Sequence, residues 1–532
     1  MSETPKKQSF LHGTALLAMA TAIVKVIGAL YKIPLNGIIG EQGFGYYSTA
    51  YEIYTLLLMI STAGLPVAMS RMVAQASSLG HYRQVRKIYT ISRTIFLTLG
   101  LLGTLLMTAF CRQLADFQQQ PDAWAAIGAL GPCCFLICLM STYRGFFQGQ
   151  GNMMPTSISQ VLEAVTKLVV GIAAALLVKF YWDSIPLAAG GAIMGVTVSC
   201  LVSSIYLNRC FRSAFRDMPQ TCEEVSSGKD IAKGLLSIAI PITIGSAGLQ
   251  LLTVLETKIY MTQLLKTLTQ DMADTQKGIY SMTLTIFNMP CAFITPITIS
   301  IIPAITSQLT LGNFKAARAT EESSARICAL ISMPCAFGLA LLAQPVTRLL
   351  GGYSGEKLVL ATRLMSVLGV CIIFNALVLL TNAIMQAHGH EKLPVVNMFV
   401  GGILKLFAVF ILTGNPAIGI VGTPIGSLLC YLTITILNLV TMRRVLEDPP
   451  AVLRQMLRAF LSAAIMGACA WGTWKGLVVL KGGDLNRVIA CAAPILVGVV
   501  VYVIAAVKFK AITREDCLLL PKGEKIANFL HL

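Results

Sequence analysis

Apolar stretches of about 20 or more residues recur along the whole chain, and no other feature restricts its fold as severely. Inside hydrocarbon every backbone N–H and C=O must find its partner within the protein, which leaves helices or a closed barrel as the spanning structures. Runs of this length read as helices. Only 12% of the 532 residues are charged, against about 25% in soluble domains, and the mean hydropathy is +0.73. The expectation is an all-α polytopic membrane protein with about fourteen transmembrane helices, at 10–38, 45–70, 88–110, 124–146, 155–180, 186–208, 234–264, 278–305, 326–350, 358–386, 393–413, 418–442, 457–480 and 485–507.

A net charge of +17 would suggest a nucleic-acid partner in a soluble chain. Here the placement of the basic residues is explained by the positive-inside rule, and no nucleic acid is expected. Alternate turns carry Arg83, Arg86 and Lys87, then Arg209, Arg212 and Arg216, then Arg443, Arg444, Arg454 and Arg458, with Lys508, Lys510, Arg514, Lys522 and Lys525 in the tail. The opposite turns hold few, among them Arg112, Lys179, Lys266, Lys277 and Lys357. Both termini are therefore expected in the cytoplasm. Lys6 and Lys7 before an apolar stretch with Ala18-Met19-Ala20 resemble a signal peptide, but the run continues to Tyr31 and reads as the first span. The 15 cysteines lie mostly within spans and lack metal-ligand spacing.

The chain also repeats itself. Phe147 to Pro155, FQGQGNMMP, matches Met385 to Pro394, MQAHGHEKLP, and Leu79-Gly80-His81-Tyr82 matches Leu311-Gly312-Asn313-Phe314. Both pairs of turns face the same side, so the repeat is parallel and implies a pseudo-two-fold axis along the membrane normal, with a substrate path between halves. The expected organisation is a six-helix lobe over 1–208, a cytoplasmic linker over 209–233, a second six-helix lobe over 234–442, and two further helices with a cytoplasmic tail over 443–532.

Ionisable residues inside spans are functional candidates, because a lysine at mid-helix costs about 2.5–3.5 kcal/mol on insertion scales. Lys25 and Lys32 lie seven residues apart, about two turns, on one face of the first span. At about 1.5 Å of rise per residue, Lys25 sits deep, and Lys32, Glu52 and Glu256 lie in the outer half. These four charges are expected to converge on one level. Arg71 and Arg144 mark the cytoplasmic ends of the second and fourth spans, and Lys167 and Lys405 take corresponding mid-membrane places in the two halves, with Glu163 one turn from Lys167. The functional reading is a wet cleft in which Lys25, Lys32 and Arg71 bind an anionic head group, with Glu52 and Glu256 as counter-charges. Snorkelling is the competing reading for Lys32 and Lys258, and an interhelical hydrogen bond for Lys167 and Lys405. His388, His390 and Glu391 read as a polar turn, Gly149-x-Gly151 lacks the context of a nucleotide fingerprint, and there is no Walker pattern. Pro66, Pro241, Pro290, Pro296 and Pro303 inside spans predict kinks.

KVIGALYKIPLNGIIGEQGFGYYSTAYEIY, GLPVAMSRMVAQASSLGHY and RGFFQGQGNMMPTSISQVLEAVTKL resemble the polysaccharide-exporter branch of the MOP superfamily, specifically the stage V sporulation protein B group. NMPCAFITPITISIIPAITSQL and IMQAHGHEKLPVVNMFVGGILKL carry the likeness into the second half. The resemblance implies two six-helix lobes plus two helices that alternate between inward-open and outward-open states. It also implies flipping of undecaprenyl-pyrophosphate-linked sugars of the lipid II type, for peptidoglycan or spore cortex, with basic residues of the first two helices at the substrate. Lys25, Lys32 and Arg71 occupy such places. Gln308 stands roughly where Arg71 does in the first half, so the cavity should be basic on one wall.

The expectation is thus a flippase in the bacterial cytoplasmic membrane, not an enzyme, acting as a monomer on a lipid-linked oligosaccharide pyrophosphate among membrane lipids. No cofactor or metal is expected, and the membrane potential or a monovalent cation would supply coupling. The rivals are a cation-coupled multidrug exporter, which would favour a carboxylate-dominated cavity, and a membrane glycosyltransferase or ligase, which would favour a large extramembrane loop.

Overall fold

The computed structural model describes residues 10–481 and 486–511; the two terminal segments and the side chain of Lys25 lie outside the described residues. The described elements are α1 (Phe10–Thr62), α2 (Leu65–Ser78), α3 (Tyr82–Ala109), α4 (Cys111–Phe117), α5 (Trp124–Gly149), α6 (Met154–Trp182), α7 (Ile185–Arg216), α8 (Gly228–Leu264) and α9 (Gln270–Thr310). They continue as α10 (Phe314–Leu341), α11 (Ala343–Leu350), α12 (Gly355–Ala387), α13 (Lys392–Thr413), α14 (Gly422–Val445), α15 (Val452–Lys481) and α16 (Arg487–Lys508). No strand occurs among the described residues. Twelve stretches among them are long and apolar enough to cross a membrane. The expected fourteen counts separately the two arms of α1, which fall within one of these twelve, and adds α9.

The first two expected spans form one helix broken at Gly40, whose φ of 71° and ψ of 178° depart from helical geometry. Positive φ is open to glycine at little steric cost. The second arm, residues 41–62, ends eight residues before the expected 70, because Ala63 and Gly64 interrupt the helix and Pro66 then opens α2 near its first position, where a missing N–H is harmless. Both ends of this arm are therefore glycine breaks.

The chain divides into two compact units, Met1–Gly278 and Ile279–Leu532. In the first, α5, α6 and α7 pack with α1, α2 and α3, and α8 lies along α1 and α2. Small residues let these backbones close on one another, as at membrane helix interfaces generally. A methyl group on Gly195 of α7 would come within 2.3 Å of Gly171 of α6. In the second unit α10 packs on α12 and α15, α12 on α14, and α13 on α14. A chain of neutral amides crosslinks three of these helices. Asn438 Nδ2 donates to Asn382 Oδ1 at 2.8 Å and to Thr381 Oγ1 at 2.9 Å, and Asn397 Nδ2 donates to Asn438 Oδ1 at 2.8 Å.

The repeat extends to the backbone of the matched turns. Gly80 and Gly312 have φ of 73° and 70°, and Gly151 and Gly389 have 74° and 80°. In each turn the residue after the glycine donates its N–H five positions back: His81 to Ala76, Asn313 to Gln308, Asn152 to Phe147 and His390 to Met385, all at 2.9 Å. This is the Schellman cap, which satisfies the last carbonyls of a helix.

Helices α7 and α8 reach into the polar segment expected over 209–233 and leave only 217–227 non-helical. That short strap docks on the start of α3. Glu223 accepts from the Gln84 amide at 3.0 Å, Gln84 exchanges two side-chain bonds with Ser226, and Arg86 donates to the Phe215 and Met218 carbonyls. Desolvation opposes the charge on Glu223, but hydrogen bonds from Thr221 and from the amides of Glu223, Gln84 and Arg83 outweigh it and hold the carboxyl down at about 2.

Candidate functional site

The second arm of α1 has two working faces. At about 100° per residue, Phe44, Tyr47, Tyr51 and Tyr54 fall on one side, and Gln42, Gly45, Thr49 and Glu52 on the other. The aromatic side is a continuous stack, with ring centroids 5.8 Å apart for Phe44–Tyr47, 5.0 Å for Tyr47–Tyr51 and 6.0 Å for Tyr51–Tyr54. Tyr31, from the first arm, joins it at 6.1 Å from Tyr47 and anchors its hydroxyl on the Ala192 carbonyl at 3.1 Å.

Lys167 of α6 stands against this stack. Its Nζ is 5.6 Å from the Tyr31 ring centroid and 5.9 Å from that of Tyr51, within the range of cation–π attraction. Lys32 lies within electrostatic reach of Lys167, and both are half-buried. One turn along α6, Glu163 accepts from Arg144 Nη2 at 3.0 Å, while Arg144 Nε donates to Ser159. Glu163 also acts on Lys167. The interior of the first unit thus sets two cations, Arg144 and Lys167, on one carboxylate that is already committed to Arg144, with Lys32 within reach of Lys167. Two like charges held together in a low-dielectric setting repel strongly, and an anion bound between them would relieve that repulsion.

The opposite face of the arm meets α9. Lys277 is 0% exposed; its Nζ donates to Thr49 Oγ1 and lies 3.4 Å from Oε2 of Glu52, which is 18% exposed. Asp274, one turn earlier, accepts from Gln120 Nε2 at 2.7 Å, from Gln270 Nε2 at 3.1 Å and from the Tyr46 hydroxyl at 3.2 Å. The Gln120 carbonyl accepts from Thr49, which ties the α4–α5 connection into the same cluster. Buried Glu256 of α8 is within electrostatic reach of Lys277. Three carboxylates therefore surround one lysine.

Backbones close the same contact. A methyl group on Gly278 would fall 1.7 Å from the Glu41 carbonyl oxygen, and one on Gly45 would fall 3.0 Å from that of Asp274. Only glycine fits at residue 278 without displacing main chain.

The expected candidates separate into these places. Lys32 and Lys167 come together. Glu52 and Glu256 both lie near Lys277, and Lys32 is within electrostatic reach of Lys167. Arg144 is held by Glu163, and Arg71 is exposed on α2. Lys405 is half-buried on α13 in the second unit. Lys25 falls outside the described side chains. Lys258, for which snorkelling is the competing reading, packs its ammonium 3.8 Å from the Phe117 ring centroid. By sequence Lys277 belongs to an outer turn; the start of α9 carries it into the interior instead. Asp274, Gln120, Tyr46 and the tyrosine stack lie outside the expected set. The i, i+3 spacing of Asp274 and Lys277 just before Gly278 was the available signal.

Twelve stretches among the described residues that are long and apolar enough to cross a membrane mark a multi-pass membrane protein. A family signature described as polysaccharide biosynthesis protein matches residues 10–309, and the chain belongs to that family. It is 25% identical to the stage V sporulation protein B of Bacillus subtilis (strain 168), over 97% of this chain and 98% of that protein. It is 26% identical to the lipid II flippase MurJ of the same organism, over 74% of this chain and 76% of that one. Among solved structures, a lipid II flippase MurJ in an inward closed conformation superposes with a TM-score of 0.65 at 12% identity, over 93% of this chain and 98% of that one. An inward-facing multidrug resistance MATE family transporter of the MOP superfamily superposes with a TM-score of 0.66 at 16% identity, over 80% and 97%. These two likenesses concern the fold.

Proposed function

We propose that the chain flips an undecaprenyl-pyrophosphate-linked saccharide of the lipid II type across the bacterial cytoplasmic membrane by alternating access. The pairing of Lys32 with Lys167 beside the tyrosine stack carries this reading. A pyrophosphate supplies the negative charge that two half-buried ammoniums need, while its prenyl chain stays in lipid. Lys25 and Arg71 serve the same head group nearer the cytoplasm, and Arg144 is released to it when Glu163 is displaced. Lys405 lines the second lobe. The strap end, with Arg83, Arg86, Lys87, Arg209, Arg212 and Arg216, is the cytoplasmic one. The relatives named for lipid II and for sporulation support a lipid-linked wall precursor, and the membrane potential or a monovalent cation supplies the coupling.

Proteoliposomes holding a fluorescent lipid II analogue, with an outside reporter, test the reading. Wild type should move the analogue, Lys167→Ala and Lys25→Ala should lose most of the rate, and Lys167→Arg should keep part of it, since guanidinium retains charge but not ammonium geometry. Equal rates in wild type and both alanine variants would remove the lysines from the mechanism.

The acids around Lys277 favour a second reading, a cation-coupled multidrug exporter on the fold shared with the MATE transporter. Ethidium efflux from the same liposomes under a sodium or proton gradient, without lipid II movement, would select it.

A further inference from the structure

The second arm of α1 joins two sites that no single feature of the sequence links. Its aromatic face holds Lys167 through Tyr51 and, by way of Tyr47, Tyr31. Its polar face, half a turn away, holds Lys277, Asp274 and the Gln120 amide through Thr49, Glu52 and Tyr46. The arm is bounded by Gly40 at one end and the Ala63–Gly64 interruption at the other, so it is a rigid piece of helix between two breaks. Breaks of this kind let a helix segment move as a body while its internal hydrogen bonds remain intact. A displacement that repacks one face of such a body must change the contacts of the other.

We infer that residues 41–62 are a lever by which an anion bound at Lys167 and Lys32 unseals the Lys277 cluster at the Gly40 end of the first unit. In the structure the aromatic face holds Lys167 and the polar face is latched. An anion between Lys32 and Lys167 draws the ammonium away from the Tyr31 and Tyr51 rings, and the arm shifts with the stack. Lys277 then loses Thr49 and Glu52 but keeps Asp274 and Glu256 within electrostatic reach, so its charge stays compensated while the seal opens. The coupling rests on the head-group reading above and makes the Gly40 end the release side.

Full-length protein in nanodiscs, followed by hydrogen–deuterium exchange on peptides covering 41–54 and 270–278, tests the coupling. Undecaprenyl pyrophosphate is the probe, and native mass spectrometry records its binding separately. In wild type, the bound lipid should raise exchange about tenfold in both segments, as expected when a latched contact opens locally. Tyr51→Leu, compared at a lipid concentration that gives the same bound fraction as wild type by native mass spectrometry, should show no rise, and Lys277→Met should show the rise without lipid. Wild type that binds the probe with both segments unchanged overturns the lever and leaves the head-group reading standing; a Tyr51→Leu protein that responds like wild type overturns the Tyr51 route. Absence of binding by wild type overturns the head-group reading and the coupling together. If Tyr51→Leu does not fold, the wild-type comparison decides alone.

Discussion

Replacing Lys277 with methionine removes the charge of the seal while keeping most of its volume, and the consequences can be worked from the surroundings. At 3.4 Å and an effective dielectric of about 20, the attraction between Lys277 and Glu52 is about 5 kcal/mol before desolvation is counted. Removing one partner of a buried pair typically costs about 3–5 kcal/mol, because the other charge is left behind. Here Glu52 keeps some contact with solvent, which lowers the loss at that residue, but Asp274 and Glu256 lose their cation as well. Lys277→Met should therefore cost about 3 kcal/mol. Glu52→Gln should cost about 1–2 kcal/mol, since Lys277 retains two carboxylates and Thr49. The double variant should be less damaged than the sum by about 1 kcal/mol or more. Reversible unfolding in mixed micelles with increasing sodium dodecyl sulfate, run as a double-mutant cycle, measures all three. A Lys277→Met protein within about 0.5 kcal/mol of wild type, or strictly additive variants, would mean that charge does not hold this cluster.

Other outcomes follow from neighbouring features. Lys32→Ala and Lys167→Ala should each weaken undecaprenyl pyrophosphate binding by about 10- to 100-fold, the loss of one charge-assisted contact, measured by titration in nanodiscs. Gly278→Ala should force α9 away from Glu41, raising exchange at 41–54 without lipid, because the obstructing atom is main-chain carbonyl. The strap should respond to acid in a defined direction. Glu223 is ionised down to about 2 when docked, against 4.5 when free. Its contribution is therefore complete above 4.5 and is lost as pH falls toward 2. Limited proteolysis at 217–227 should accelerate over that window, and Glu223→Gln should be cut faster at neutral pH with a flatter pH dependence.

Much of the helical architecture could be read from the sequence because hydrocarbon enforces it: long apolar runs have few alternatives. The matched turns were legible for a similar reason, since Gly80, Gly312, Gly151 and Gly389 mark a backbone geometry that few other residues adopt. The break between Thr62 and Leu65 was harder to see, because Pro66 alone suggested a kink within a span rather than the start of a new helix. Depth counting puts Glu52 and Glu256 at one level, but depth says nothing about azimuth. Lys32 faces α6, and the acids face α9. Lys277 was misplaced because charge density alone marked the start of α9 as a turn, whereas its partners come from residues 49, 52, 256 and 274. Such a set becomes visible only when three separate stretches are brought together.

The asparagine crosslinks of α12, α13 and α14 have a consequence for how the second unit answers its surroundings. Amides neither titrate nor attract counter-ions, so the Asn382–Asn438–Asn397 chain keeps its strength across the whole range of ionic strength a cell or a buffer presents. The exposed ion pair of Arg318 with Asp448 has no such indifference, because water and salt reach it. Raising salt should therefore weaken that pair while leaving the α12–α14 contact unchanged, which gives a chemical handle for loosening one contact of the second unit against a fixed internal reference.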